Sequence, residues 1–167
     1  SNSLVGSQSG DYVGSYHYAN QRTLGYPSTH GFSTIDSNWD AVLQTGLQVL
    51  ADGNYVVRSP SWGGGKGAVT WGTGSSGVAG VVSAGNSLVG SVADQVVTTT
   101  TTAVRDGKTV TDTAYELRTT GDHVGLSGAA LTGGGVLVLS PFWDGGKGAA
   151  TLVDGSRTGA VSAANSV

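Results

Sequence analysis

The chain has 167 residues, among them Gly 29, Pro 3, Cys 0 and Met 0, with 38% hydrophobic and only 11% charged residues. Such glycine usage disfavours an all-α fold, the recurrence of Val, Leu, Tyr and Trp excludes ordinary disorder, and the lack of Cys removes disulfide scaffolds and thiolate metal sites. Eight Lys and Arg against eleven Asp and Glu leave a net charge of -3, so no basic field is offered to nucleic acid or an anionic membrane, and no run approaches the ~20 apolar residues of a membrane helix.

With neither an initiator Met nor a signal-peptide pattern, the chain reads as a mature product or an excised piece. Its first residues, SNSLVGS, lead into Gly10-Asp11-Tyr12-Val13-Gly14. From about 16 to 45 runs an aromatic-rich insertion that holds Tyr16, Tyr18, Tyr26, Phe32 and Trp39, with His17, Arg22 and His30 among them. Within it, Ser37 as N-cap, Asp40 three residues on and Gly46 as a stop predict a short helix. Aromatic rings so grouped suit stacking on a sugar, which makes the five aromatics candidate ligand-binding residues; a small satellite core under the loop is the blander reading.

Beyond the insertion the signals are those of strands. Leu47 and Val49, then Asn54–Ser59, predict two strands joined by the turn Ala51-Asp52-Gly53. Pro60 ends the second, because proline cannot donate to a ladder. The Gly-rich linker 63–65 leads to a third strand over 66–71, and a Gly/Ser turn to a fourth over 78–84.

The same words then return. VVSAGNSLVGS (81–91) repeats the opening segment, and Gly121-Asp122-His123-Val124-Gly125 repeats the GDxVG word. Between them lies a second insertion, about 92–120, in which Arg105-Asp106-Gly107-Lys108 predicts a turn between two Thr/Val-rich arms. On its second arm Tyr115 and Leu117 share one face, and Asp112, Glu116 and Arg118 the other. Such a hairpin is suited to cover a neighbouring surface or lend a strand edge to another chain, unless it is simply a decorated loop. Strands follow over 129–131 and 136–140, divided by Gly133-Gly134; then come Pro141, the linker 145–146, and strands over 147–153 and 159–163.

GNYVVRSPSWGGGKGAVTWG (53–72) aligns without a gap on GGVLVLSPFWDGGKGAATLV (134–153), and AVSAANSV (160–167) matches the segment from 81. The chain is therefore expected to hold two copies of one unit, 1–84 and 85–167, each with an insertion. The fold class this predicts is all-β: two tandem four-stranded antiparallel blade-like repeats, β-propeller-like, although a β-solenoid uses similar short Gly-bounded strands.

The ordered words GDxVG, VVRSP and LVLSP, and GAVTWG resemble the FG-GAP repeats of integrin-type β-propellers. Their phrasing is also similar to repeats in large secreted bacterial proteins of the filamentous-haemagglutinin type. The resemblance implies propeller blades and an extracellular setting. It does not carry calcium over: the turns that would hold the ion are Ala51-Asp52-Gly53-Asn54, with one carboxylate, and Thr132-Gly133-Gly134-Gly135, with none, whereas Ca²⁺ takes six to eight oxygens.

No pattern for catalysis emerges. Gly-Gly-Lys-Gly (64–67 and 145–148) lacks the spaced first Gly and the following Ser/Thr of a phosphate loop, and reads as a turn. The three His are scattered, so no metal or cofactor is expected. Asp11 and Asp122 are expected to bond turn amides rather than act as a glycosidase pair. Trp62 and Trp143, each after a Ser-Pro word, read as packing positions. The function expected is a non-enzymatic, extracellular, structural or adhesive β-repeat module that associates with itself as a ring or fibre or belongs to a large surface protein, with no nucleic-acid partner and no membrane insertion. The alternative is a carbohydrate-binding, lectin-like propeller that uses the aromatic insertion on a glycan or cell-surface ligand.

Overall fold

The computed structural model describes residues 3–16 and 44–167. The candidate residues Tyr18, Tyr26, Phe32 and Trp39, and the short helix expected after Ser37, lie outside the described residues; Tyr16 enters as backbone only. In chain order the elements are β1 (Leu4–Val5), β2 (Ser15–Tyr16), β3 (Gln44–Thr45), β4 (Leu47–Val49), β5 (Tyr55–Ser59), a helical turn α1 (Trp62–Gly65), β6 (Ala68–Gly72), β7 (Gly80–Val81), β8 (Ser87–Val89), β9 (Gln95–Arg105), β10 (Lys108–Arg118), β11 (Ser127–Ala130), β12 (Val136–Ser140), a helical turn α2 (Trp143–Gly146), β13 (Ala149–Val153) and β14 (Gly159–Ala160). The protein is all-β, and among the described residues no helix is long and apolar enough to cross a membrane.

The two copies share a meander. In the first, β4, β5 and β6 pair antiparallel, with Val57 opposite both Leu47 and Thr70. In the second, β11, β12 and β13 do the same, with Val138 opposite Gly128 and Thr151. The turn between the first two strands forms where Asp-Gly predicts it: the Asp52 carboxylate accepts the backbone N–H of Asn54 at 3.0 Å, and Leu50 N–H donates to the Asn54 carbonyl.

The fourth strand departs from expectation. The strand expected over 78–84 is β7, but it does not join β6; it pairs parallel with β1, Leu4 opposite Gly80 and Val5 opposite Val81. The neighbour of β6 is β8, antiparallel, with Val69 opposite Leu88. Likewise the strand expected over 159–163 is β14, which pairs parallel with β8, Gly159 opposite Leu88. The five-stranded order β14-β8-β6-β5-β4 therefore mixes both copies. β8, which lies past the 84/85 boundary read from the sequence, completes the first copy's sheet. The physical reason is edge satisfaction: a two-residue strand contributes little by itself and settles on whichever exposed ladder edge its connection reaches.

The core follows from this sharing of strands. Leu50, just past β4, and Val56, Val69 and Leu88 of the first sheet pack with Val124, Val136, Val138, Val153 and Val161 in one cluster, flanked by the half-buried Trp71 and Trp143. A smaller cluster of Ala68, Val82 and Val89 takes in Leu4, Val13 and Trp62 at its rim. Both Trp62 and Trp143 thus pack as the Ser-Pro-x-Trp words suggest. β9 and β10 pair with each other from Gln95↔Arg118 to Arg105↔Lys108 and, among the described residues, with no other strand. Asp106 (φ 51°) and Gly107 (φ 72°) close this hairpin with positive φ at both turn positions, the two-residue turn whose twist suits a β-ribbon.

Candidate functional site

The most organised polar geometry in the described residues is built from two repeated words, GDxVG and the Ser-Pro-x-Trp glycine corner. The corner forms because three consecutive residues take positive φ, Gly63 (65°), Gly64 (71°) and Gly65 (94°) in the first copy and Asp144 (50°), Gly145 (69°) and Gly146 (93°) in the second, followed after one lysine by Gly67 (79°) and Gly148 (78°). This reverses the chain between β5 and β6, and between β12 and β13, and leaves a row of backbone carbonyls at the bend. Gly-Gly-Lys-Gly is thus a strand-to-strand corner, and Lys147 makes an exposed ion pair with Asp144 at 2.7 Å.

The aspartate of GDxVG ties each corner down. The Asp11 carboxylate accepts the backbone N–H groups of Ser7 (2.6 Å) and Gln8 (3.0 Å) and the Ser7 hydroxyl on one oxygen, and the N–H of Gly63 (2.9 Å) on the other. Asp122 repeats the pattern with Ser91 (2.7 Å) and Val92 (2.9 Å) on one oxygen and Asp144 N–H (3.2 Å) on the other. Both aspartates are buried. Burial alone raises the Asp11 carboxyl, but the bonds from Gly63, Gln8 and Ser7 outweigh it and hold the group below its ordinary value of 3.8. The sequence expectation that these aspartates bond turn amides describes what they do, and each serves its own copy.

The second GDxVG word also reaches backward, to the first copy's corner. His123 N–H donates to the Gly65 carbonyl at 2.9 Å, Val124 N–H to Lys66 at 3.1 Å, Gly90 N–H to Gly67 at 3.0 Å and Asp94 N–H to Gly64 at 2.8 Å. Gly67 and Val124 form a parallel bridge. At this junction the His123 ring sits between the Pro60 carbonyl (Nδ1, 3.2 Å) and the Asp94 carboxylate (Nε2, 3.0 Å), and Asp94 also accepts the N–H groups of Thr120 and Gly121. Both ring nitrogens thus face oxygens, and the ring bridges a first-copy carbonyl and a second-copy carboxylate. No signal in the sequence pairs His123 with Asp94, because they come from opposite ends of the second insertion.

An open pocket of about 310 Å³ lies beside the second corner, lined by Ser91, Val92, Asp122, Trp143, Asp144 and Val161. Its Asp122 carboxylate is already occupied by three amides. Among the described residues no group of three His, Cys, Asp or Glu side chains is placed to hold a metal ion. Of the five candidate aromatics, four lie outside the described residues, and for Tyr16 only the backbone pairing with Gln44 is described. The corner carbonyls and the GDxVG amides, which the sequence marks as turns, are instead the groups that join one copy to the next.

A family model described as a repeat of unknown function (DUF5650) matches residues 1–15, 49–99 and 130–167, more than half of the chain. Neither a curated protein nor a solved structure matches it.

Proposed function

Because the chain belongs to this family of repeats, we propose that it is a non-enzymatic, extracellular β-repeat module, structural or adhesive, whose units tile into a ring, a fibre or a longer surface array. The observation that carries the reading is the shared strand system: β8 and β14, both past the 84/85 boundary, extend the sheet of the first copy, so that sheet is completed by strands of the next unit. Repeats of this kind build extended surfaces by nearest-neighbour contacts. A chain free of thiols needs no control of redox state outside the cell. Blade-like packing of the FG-GAP type, with further units continuing around an axis, belongs to the same proposal.

Light scattering coupled to size-exclusion chromatography, with negative-stain microscopy, tests it: particles larger than one chain, as rings or filaments, are expected. A monomer at every concentration, or turnover of a compound by the purified chain, overturns the reading. The carbohydrate-binding alternative rests on the clustering of Tyr16, Tyr18, Tyr26, Phe32 and Trp39 in one insertion. It requires glycan-array binding that falls on Trp39→Ala and Tyr18→Ala; binding unchanged by both removes that site.

A further inference from the structure

The contact that joins the two copies has both of its halves duplicated, and one duplicate of each is open. In the internal contact the receiving corner is covered: Pro60, Gly65 and Gly67 are buried. Their counterparts in the second corner, Pro141 and Gly146, are exposed, and Gly148 is half-buried. Among the described residues nothing donates to the carbonyls of Lys147 and Gly148, which correspond to the acceptors Lys66 and Gly67. The donating half shows the converse. Val124 is fully buried and Gly90 is buried, whereas Val13 is half-buried, Gly6 is exposed and Val5 is 46% exposed against 5% for its counterpart Val89. The amides of Gly6 and Val13 donate to no described residue.

We propose that the second glycine corner, Pro141–Gly148, is the docking site for Val5–Gly14 of a second copy of this chain. The register is that of the internal contact, with Val13 N–H on the Lys147 carbonyl and Gly6 N–H on the Gly148 carbonyl. The occupant is identified by continuity with an interface the chain already makes: the same GDxVG word, spaced alike from the same LVGS segment, meets the same corner. Val13 and Gly148 are half-buried, so pairing serves an amide and a carbonyl that water reaches only in part. The start of the adjoining strand is already in place, since Val167 N–H donates to the Ala150 carbonyl at 2.8 Å and the Ser166 and Thr151 hydroxyls bond at 2.8 Å, as Ser87 and Thr70 do at 2.7 Å. Ser3–Leu4 of the incoming copy and Ser166–Val167 of the receiving one are alternatives for one register, so docking exchanges like for like there. The contact is heterologous, donor end to acceptor end, and propagates as a ring or a filament rather than stopping at a two-fold dimer.

This inference rests on the self-association reading and names its surface. The test is sedimentation velocity over a concentration series for the parent and for Gly148→Asn. Asparagine tolerates the left-handed backbone of Gly148 (φ 78°), and a Cβ there meets nothing closer than 3.7 Å within the chain. At the equivalent Gly67 a Cβ would overlap the backbone of Val124, so the same substitution at 148 blocks an incoming copy. The expected result is association in the parent and its loss in Gly148→Asn, with circular dichroism unchanged. A folded variant that associates like the parent overturns the site and leaves the self-association reading standing; a parent that stays monomeric overturns both. Amide hydrogen exchange in the parent decides the matter independently of any variant. Gly6 and Val13 gain protection as association proceeds, and association without that protection refutes the docking.

Discussion

At the scale of single residues, the molecule depends on two aspartates that hold several backbone donors each. Asp122→Asn turns one of its two acceptor oxygens into a donor, which then faces backbone amides on either side, Ser91 and Val92 or Asp144. A loss of about 3 kcal/mol in urea-unfolding free energy is expected, since charge-assisted bonds are lost and buried amides are left unpaired. Asp11 adds a pH dependence. Its folded pKa lies below the ordinary 3.8, so its stabilisation is fully present above that value and disappears as pH falls through the lower folded value. Urea-unfolding midpoints of the parent and Asp11→Asn are therefore expected to differ at neutral pH and to converge as pH drops below 3.8; a constant gap would contradict the linkage. The role of both carboxylates was legible from Gly-Asp turn chemistry. The reach of His123 to Asp94 and Pro60 was not, because it depends on which surface the second copy meets.

At the scale of elements, strong local signals and weak ones fared differently. The runs over 54–59 and 136–140, and the Asp106-Gly107 turn, form close to where the residues predict. The glycine linkers are corners, as expected, but their positive-φ positions, which run on to Gly67 and Gly148, displace the start of β6 and β13 to Ala68 and Ala149. β7 and β14 misled, because two residues flanked by glycine carry no information about which edge they join. Among the described residues the hairpin contributes no strand to the body's sheets, and a two-stranded ribbon gains little on its own. Replacing 95–118 by a short Gly/Ser link between Asp94 and Thr119 is thus expected to change the body's unfolding free energy by less than about 1 kcal/mol. A larger drop, measured by urea titration, would show that the hairpin braces the body.

At the scale of the whole molecule, one valine-rich core and the two strands that the second copy adds to the first copy's sheet make the copies interdependent. Val124, fully buried between β6 and the second sheet, belongs to that shared cluster. Val124→Ala is expected to cost about 2 kcal/mol, from two lost methyl groups and the space they leave, and to lower a single transition. Calorimetry checks the second half of the statement: equal calorimetric and van't Hoff enthalpies are expected, and two separable transitions would mean that the copies fold independently.

The amino-acid sequence by itself determined the strand-forming character of the chain, its duplication, its principal turns and the amide-binding aspartates. Each of these follows from residues within a few positions of one another, or from words that recur. Only the tertiary structure decided that β8 closes the sheet of the preceding copy, that β7 and β14 pair parallel, and that the glycine corner receives the next GDxVG word. Those outcomes join backbone groups far apart in the chain, and backbone N–H and C=O groups are the same in every non-proline residue. Their partners are therefore selected by which edges the folded units leave open, and not by any side-chain pattern.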